Sequence, residues 1–577
     1  MMSLAVLNRW ISPSPLTATG EEHVEAYLAL GVPRPLALLL VQRGFGSPAE
    51  ANAALTAPLA TGLVPAAQLP DIDVATRRIV SAIERQESIV VFGDYDCDGV
   101  CSTAILTRAL QLLGACVTAR VPNRLTEGRD LTPGAVARCE ADGTTLIITI
   151  DCGTQAFDGA AAARAASIDL IIVDHHQVGL VFPDSLAFVN PQRADSAYQP
   201  ADVCAALLAF KVALSVYLAR GRAIEDLRWA LDLVAIATLG DKMPLIGENR
   251  AIVKHAIRAL PQTTLPGLQA LLQVAYRSPR ELSARDVVFD LVPRLNAPGR
   301  MDSAQQAVDL LLATNATRAA ELANFATMAN DHRRTTEERV LAEARRALAN
   351  APETPVIVLH GASWHPGVVS IAAARLAEQF GRPAIIVVGT GPVLRGSARA
   401  TSGGNVHALF SSVRHLVRQF GGHPEAVGFE LDADQLVAFG RAVQLSAEPA
   451  EGVDVVQALH RIDAPIALSD LTPAFAAWLD RMGPFGQGMP TPTFLLSNVE
   501  IVEVSCVGPH RNHLSGYVRA VGASVFDAKV RFFAPRMAEQ YPAERILHST
   551  IDALVAVEPQ RDGLSIRLID LQERTRR

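Results

Sequence analysis

Three short apolar, β-branched runs lie in the first third of the chain: Ile89-Val90-Val91-Phe92, Leu146-Ile147-Ile148-Thr149-Ile150 and Leu170-Ile171-Ile172-Val173. Runs of this length without polar alternation predict strands buried on both faces, as in a parallel sheet. Between and after them, Val100 to Leu113, Gln155 to Ala166 and Val203 to Ala219 are rich in Ala and Leu and predict helices. From Asp71 to Asp241 this alternation predicts a mostly parallel sheet covered by helices. Ahead of it, a helical pattern from Glu21 to Arg43 is broken by Pro33 and Pro35. Residues 307–350 contain neither Gly nor Pro and predict a long helix joining two lobes. A second α/β unit starts at Pro355, with strands at Val356 to His360 and Ala384 to Val388, a helix at Val368 to Phe380, and a Gly-rich turn region. Beyond Ala464 the pattern changes to short alternating strands (494–504, 513–521, 529–533, 550–557 and 564–571), which predicts a small barrel or sandwich. The expected fold class is α/β: two lobes joined by a long helix, with a C-terminal β-barrel. The expected boundaries are an N-terminal helical segment 1–55, a first lobe 56–306, a connector 307–350, a second lobe 351–455 and a barrel domain 456–577.

The chemistry collects where strands end. Asp94 and Asp96 lie in GDYDCDG, Asp151 ends ITIDCG, Asp174-His175-His176 end IVDHH, and Asp241 lies in ATLGDKMPL. Carboxylates at the carboxyl ends of parallel strands converge on the crevice where α/β sheets bind ligands. Each one alone has an ordinary reading. DxDxDG can be a calcium loop, although here a strand precedes it, and a single Asp can be a helix cap or a turn. Four such clusters on one βαβ domain point to bound cations, because burying that many like charges is otherwise costly.

Composition bounds the reading. A chain of 577 residues exceeds one hydrophobic core, so three or four domains are expected. Hydrophobic content of 49% with 19% charged residues describes a soluble protein, and no apolar run is long enough to span a membrane. The first residues lack a basic segment followed by an apolar one, and the seven cysteines include no CxxC pair, so reduced thiols in a cytoplasm are expected. Cys97 and Cys101 are read as packing residues. A net charge of −7 opposes phosphate binding taken alone. An acidic centre loaded with divalent cations nevertheless becomes locally positive.

Carboxylates with one or two imidazoles and no thiolate suit manganese or magnesium better than zinc. Two ions sharing a carboxylate would lie ~4 Å apart, activate a water and clamp both attacking and leaving oxygens of a phosphodiester. Phosphoryl hydrolysis is the chemistry such a site serves best.

GDYDCDG, ITIDCG, DHH and LGDKMPL, followed by PRLNAPGRM (Pro293 to Met301), resemble the successive motifs of the DHH phosphoesterase superfamily. WHPGVVSIAAARLAEQFGRPAIIV (Trp364 to Val387) and GGHPEAVGF (Gly421 to Phe429) resemble its DHH-associated domain, and GPFGQGMPTPTF (Gly483 to Phe494) the start of an OB-fold. Motif order and length are similar to the branch of bacterial single-strand-specific 5′→3′ DNA exonucleases. The resemblance implies two Mn²⁺ (or Mg²⁺) ions held by Asp94, Asp96, Asp151, His175 and Asp241, with Asp151 between them. It implies His176 facing the scissile phosphate and Asp98 supporting the loop; a structural role for His176 is the plainer alternative. Arg124, Arg294, Arg300, Ser397, Arg399 and His423 are the candidate substrate contacts, the last three on Gly-rich turns. Single-stranded DNA is the implied partner, with a single-stranded-DNA-binding protein and a helicase beside it in recombination and repair. The implied mechanism is attack by activated water in line with the leaving 3′ oxygen, without a covalent intermediate.

The chain departs from the family pattern around the substrate. An EGYGL-like continuation is EGRDLTP here, ADVVPL is GDKMPL, SGRS is SARA and GGHxxAAG is GGHPEAVG. No candidate metal ligand is lost, so hydrolysis is expected, with polarity or preferred nucleic acid open to change, as in a divergent paralogue. The alternatives are a small-substrate enzyme (nanoRNase, oligonucleotide phosphatase or pyrophosphatase) and a replication factor that binds single strands without cutting. A long chain with a barrel disfavours the first, and an intact acidic cluster disfavours the second.

Overall fold

The three apolar runs form the middle of a five-stranded parallel sheet. In the computed structural model, which describes residues 9–574 apart from 125, 277–281, 350, 402, 448–458, 509–510, 524–528 and 561–562, the strands are β1 (Ser88–Gly93), β2 (Cys116–Arg120), β3 (Leu146–Ile150), β4 (Asp169–Val173) and β5 (Ala187–Val189). Their order is β2-β1-β3-β4-β5. All of β3 is buried, as a central strand covered on both faces requires. The edge strand β2 carries no such run, since Cys116, Thr118 and Arg120 break it, so its sequence does not announce it. The helices that matter for the site are α1 (Cys97–Leu112) after β1, α2 (Pro133–Ala141), α3 (Phe157–Ala165), α4 (Ala205–Ala219) and α5 (Ala230–Gly240). Most of α4 and nearly all of α5 are buried, so they pack as inner helices rather than as an amphipathic cover.

Sheet and helices belong to one compact unit, Leu63–Met243 with His255–Val456, which also holds the second lobe. Helix α6 (Val292–Met301) leads towards the 34-residue α7 (Ala316–Ala349). The expected helix over 307–350 is interrupted before α7, because the Asn315 side chain accepts the Arg318 N–H at 2.9 Å and starts a new helix there. The second lobe comprises β6 (Ile357–Gly361), α8 (Pro366–Phe380), β7 (Ala384–Val388), β8 (Val393–Arg399), β9 (Gln419–His423) and β10 (Ala426–Asp432), in the order β9-β10-β8-β7-β6. Only β6 and β7 pair in parallel; the other pairs are antiparallel. The expected Gly-rich turns are therefore strands: Ser397 and Arg399 sit on β8 and His423 ends β9. Gly396 faces Phe429 across the β8–β10 ladder, and a Cβ on Gly396 would run into that ring. Glycine here serves packing inside a sheet, which glycine counts alone do not reveal.

The other unit combines Met1–Gly62, Pro244–Lys254 and Gln457–Arg577. It contains β11 (Ala464–Ile466), β12 (Phe494–Val507), β13 (His513–Ala520), β14 (Val530–Ala534), β15 (Thr550–Gln560) and β16 (Gly563–Glu573). The order β11-β12-β13-β14-β16-β15 closes through a β12–β15 pairing, which makes a barrel and consumes the exposed edges. Phe494 and Phe532 fill the barrel, whereas Phe533 is partly exposed; Phe526 lies outside the described residues. The N-terminal segment joins this unit: Arg9–Ile11 pairs in parallel with Leu459–Arg461, and Arg43 meets Asp463 at 3.0 Å. No helix among the described residues is long and apolar enough to cross a membrane.

Candidate metal centre

Each acidic residue is aimed by the element that ends beside it. Asp96 caps α1, its carboxylate accepting from the Asp98 and Gly99 N–H groups at 3.0 and 3.2 Å. Gly99 is required there, because a Cβ would strike the Asp94 backbone, which the helix start approaches directly. Asp98 points the other way and accepts from Ala205 and Ala206 N–H at 2.7 and 2.8 Å, binding the start of α4 to the loop. Asp151, at the end of β3, takes φ 62°, a left-handed conformation uncommon for a residue with a side chain and typical of places where geometry is imposed. Its N–H donates to Val173 O at 3.1 Å, which fixes the turn. Asp241 ends α5.

These residues converge. The ligand-type atoms of Asp94, Asp96 and Asp151 lie within 4.8 Å of one another, as do those of Asp98, His175 and Asp241. His175 Nε2 is 3.1 Å from Asp151 and 3.8 Å from Asp241 Oδ2, so Asp151 stands between the two groups. Asp98 Oδ2 is 3.7 Å from His175, but both its oxygens are already engaged at α4; it is a support. Asp174 is also spoken for. It accepts from Thr154, His175 and His176 backbone N–H groups and lies 2.7 Å from His176 Nδ1. Although burial opposes ionisation, the hydrogen bond and charge of His176 hold this carboxyl well below the usual range.

The remaining carboxylates behave oppositely. Burial, and then repulsion from neighbouring aspartates, raises Asp94 and Asp98 to about 6 and Asp241 to about 7, and lifts Asp151 well above its ordinary value. Burial alone would depress His175, but Asp98, Asp241, Asp174 and Asp96 together raise it. Asp241 Oδ2 is buried without a hydrogen-bond partner. A pool of buried carboxylates short of positive charge, with an orphaned oxygen and oxygen-plus-imidazole donors, fits hard divalent cations.

The centre opens into a cleft of about 960 Å³ between the two lobes of this unit. Tyr95, Arg124, His176 and Ser397 line it. The Arg124 guanidinium lies over the Tyr95 ring, 5.0 Å from its centroid. Arg300 and Arg399 gather with it: burial lowers both, Arg300 to about 10, and Arg124 lowers each further. His423 is depressed by burial and then by the charges of His176 and Arg129. Arg294 does not join; its Nη1 donates to the Asp290 carbonyl at 2.6 Å.

Sequence reasoning missed three residues. Asn296 accepts the Cys97 N–H at 2.7 Å and steadies the start of α1. Asn190, fully buried, donates to the His176 carbonyl at 3.0 Å. Arg129 stands in the centre itself, with Nε 3.2 Å from Asp94 Oδ2 and Nη2 3.0 Å from His176 Nε2. Only the departure EGRDLTP signalled it.

Comparison with known proteins agrees with this geometry. Residues 88–238 match the DHH family N-terminal domain, 353–448 the DHHA1 domain and 462–560 the RecJ OB domain. The single-stranded-DNA-specific exonuclease RecJ of Salmonella typhimurium is 32% identical over 527 residues, covering 87% of this chain and 89% of that protein. The Bacillus subtilis protein of the same name is also 32% identical, over 84% of this chain; the chain spans 61% of its length. The crystal structure of Thermus thermophilus RecJ in complex with Mn²⁺ superposes with a TM-score of 0.80 at 28% identity, covering 98% of this chain and 80% of that one.

Proposed function

The chain belongs to the family of RecJ single-stranded-DNA-specific exonucleases, and from that membership and its acidic centre we propose that it is a divalent-cation-dependent exonuclease acting on single-stranded DNA. It hydrolyses phosphodiester bonds from the 5′ end and releases mononucleotides. The observation that carries this reading is the pool of raised, buried carboxylates at the floor of a cleft that arginines enter from the side.

Asp94, Asp96, Asp151, His175 and Asp241 would hold two Mn²⁺ or Mg²⁺ ions. When bound, such ions polarise phosphoryl oxygens and acidify an attacking water. The protein groups set the geometry around that chemistry. The Asp174 carboxylate accepts a hydrogen bond from His176 Nδ1, which leaves Nε2 as the ring atom facing the cleft. Arg124, Arg300 and Arg399, with Ser397 and His423, receive the terminal phosphate and the backbone next to it; a dianionic 5′ end suits Arg300 and Arg399, which burial and the neighbouring Arg124 charge lower. A cleft walled by two lobes of one unit admits one strand more readily than a duplex. The barrel, of OB type, binds a further stretch of the strand. A single-stranded-DNA-binding protein and a helicase are the proposed partners, in recombination and repair, in the cytoplasm.

The test is incubation with Mn²⁺ and single-stranded DNA labelled at either end, beside an Asp151→Ala control. Mononucleotides released from the 5′ label by the wild type alone are expected. Release from the 3′ end, or cleavage of short RNA only, would replace the assigned polarity or substrate.

A further inference from the structure

We propose that Arg129 is an internal counter-ion of the centre that exchanges partners: it neutralises Asp94 in the metal-free protein and turns to the phosphate of the bound strand when a divalent ion takes Asp94. The inference rests on the nuclease reading for its second half only. Asp94 is 1% exposed, whereas the Arg129 side chain is 55% exposed and lines the cleft beside Tyr95 and Arg124. The guanidinium therefore touches a candidate metal ligand with one edge and open cleft with the rest. Of its five N–H donors, the contacts to Asp94 and His176 engage Nε and Nη2, which leaves donors free for an anion.

The backbone around it is pinned while the side chain is long. Gly128 and Asp130 both have left-handed φ, 83° and 78°, and the Asp130 carboxylate accepts the Leu131 N–H at 2.9 Å. Movement is thus left to the rotatable bonds of Arg129. Electrostatics supplies the reason to move. A guanidinium 3.2 Å from an Asp94 oxygen stands within a few ångströms of any cation on that oxygen, where like charges repel strongly in a partly buried site. Once two divalent ions balance the carboxylates of Asp94, Asp96, Asp151 and Asp241, Arg129 is a surplus positive charge at the cleft floor. A phosphodiester arriving there is its nearest uncompensated anion. An arginine fork then fits phosphoryl oxygens in two-pronged fashion. The tyrosine usual at this point of the motif carries no charge to exchange.

The experiment measures Mn²⁺ binding to full-length wild type, Arg129→Gln and Arg129→Lys by the loss of the free-Mn²⁺ electron paramagnetic resonance signal, without DNA. It then measures kcat and KM on single-stranded DNA at saturating Mn²⁺. Loss of the competing charge is expected to tighten Mn²⁺ binding by Arg129→Gln about tenfold, while its kcat falls about 10²-fold. Arg129→Lys, which keeps charge without the fork, should bind Mn²⁺ like the wild type and recover part of kcat. Mn²⁺ affinity of Arg129→Gln within twofold of wild type would overturn the exchange, and tighter Mn²⁺ with unchanged kcat would overturn the phosphate contact. Because the Mn²⁺ titration contains no DNA, a wild type inert on DNA would sink the nuclease reading while the affinity change still decided the exchange.

Discussion

Two clusters of like charge share one cleft. At its floor, Asp94, Asp96, Asp151 and Asp241 crowd together; at its side Arg124 lines the cleft, and Arg300 and Arg399 lie within reach of its charge. Burial first, and then repulsion from like neighbours, raises Asp94 and Asp241 at the floor and lowers Arg300 and Arg399 at the side. Buried charges elsewhere are also shifted by burial, Arg250 down to about 10, but they find hydrogen-bond partners within the chain. Glu337 is buried but meets Arg333 and Arg375 at 2.8 and 2.7 Å, and Arg250 donates to the carbonyls of Ala54, Met482, Gly483 and Pro484. Structural charges find their partners within the chain, whereas the two cleft clusters, Arg129 at Asp94 aside, are complementary to something the chain lacks: cations for one, phosphates for the other.

Removing a charge from the floor should therefore abolish function while relaxing the fold. Asp151→Asn is expected to lower kcat on single-stranded DNA by at least about 10³-fold, since the residue between the two groups is lost. In EDTA the same variant should unfold later than wild type, by about 1 kcal/mol, because a buried repulsion is gone. Denaturation with and without Mn²⁺ separates the two effects. A variant less stable than wild type in EDTA would show that Asp151 is compensated after all.

Proton linkage sharpens the same contrast. Asp94, Asp98 and Asp241 bind protons near 6 to 7 when folded, against about 3.9 when unfolded. Between these values the folded state holds more protons, so stability falls as pH rises from about 4 to about 7. His175, also raised, loses its contribution in the same direction. Asp174 is depressed and acts only below this window. Metal-free protein should lose about 3 kcal/mol between pH 5 and pH 8 once coupling among the sites is allowed for. Saturating Mn²⁺, which competes with those protons, should reverse the slope. Thermal melts across pH in EDTA and in Mn²⁺ test this.

On the side wall, the effect moves from kcat to KM. Arg300→Met replaces a buried cation, whose nearest polar contacts are Gly367 O and Ser370 Oγ at 3.5 and 3.4 Å. The weak contacts mean little stability is lost. KM for 5′-phosphorylated single strands should rise about tenfold with Mn²⁺ affinity unchanged. A drop in Mn²⁺ affinity instead would place Arg300 in the floor's economy of charge.

What the sequence discloses follows the same division. The floor is legible because its parts are local: an apolar run fixes a strand, and the carboxylate after it must sit at the strand's end. Asp94, Asp151 and His175 are readable in this way, and Asp241 from the end of a buried helix. Contacts made across the fold are not legible. Ser397 and His423 looked like turn residues because Gly396, Gly421 and Gly422 stand beside them, yet Gly396 makes room for Phe429 within a sheet. Asn190 and Asn296 act through hydrogen bonds to segments 14 and 199 residues away, for which no spacing rule exists. Arg129 was visible only as a deviation, since its meaning depends on the loop folding back over Asp94.

Arg294 gives the smallest expected effect and the cleanest negative control. It lies in the same PRLNAPGR motif as Arg300 and is chemically identical, so a reading by motif alone ranks the two equally. The fold does not. Within α6, Arg294 turns to the Asp290 carbonyl one helical turn back, while Arg300 enters the electrostatic neighbourhood of Arg124 and Asp96. Arg294→Ala should therefore cost about 1 kcal/mol of stability through the lost hydrogen bond. KM and kcat on single-stranded DNA should stay within about twofold of wild type, because its guanidinium is engaged at the Asp290 carbonyl rather than in the cleft. Steady-state kinetics beside Arg300→Met decides the matter: a KM rise equal to that of Arg300→Met would mean that Arg294 swings into the cleft when DNA binds, and that the side wall holds one more arginine.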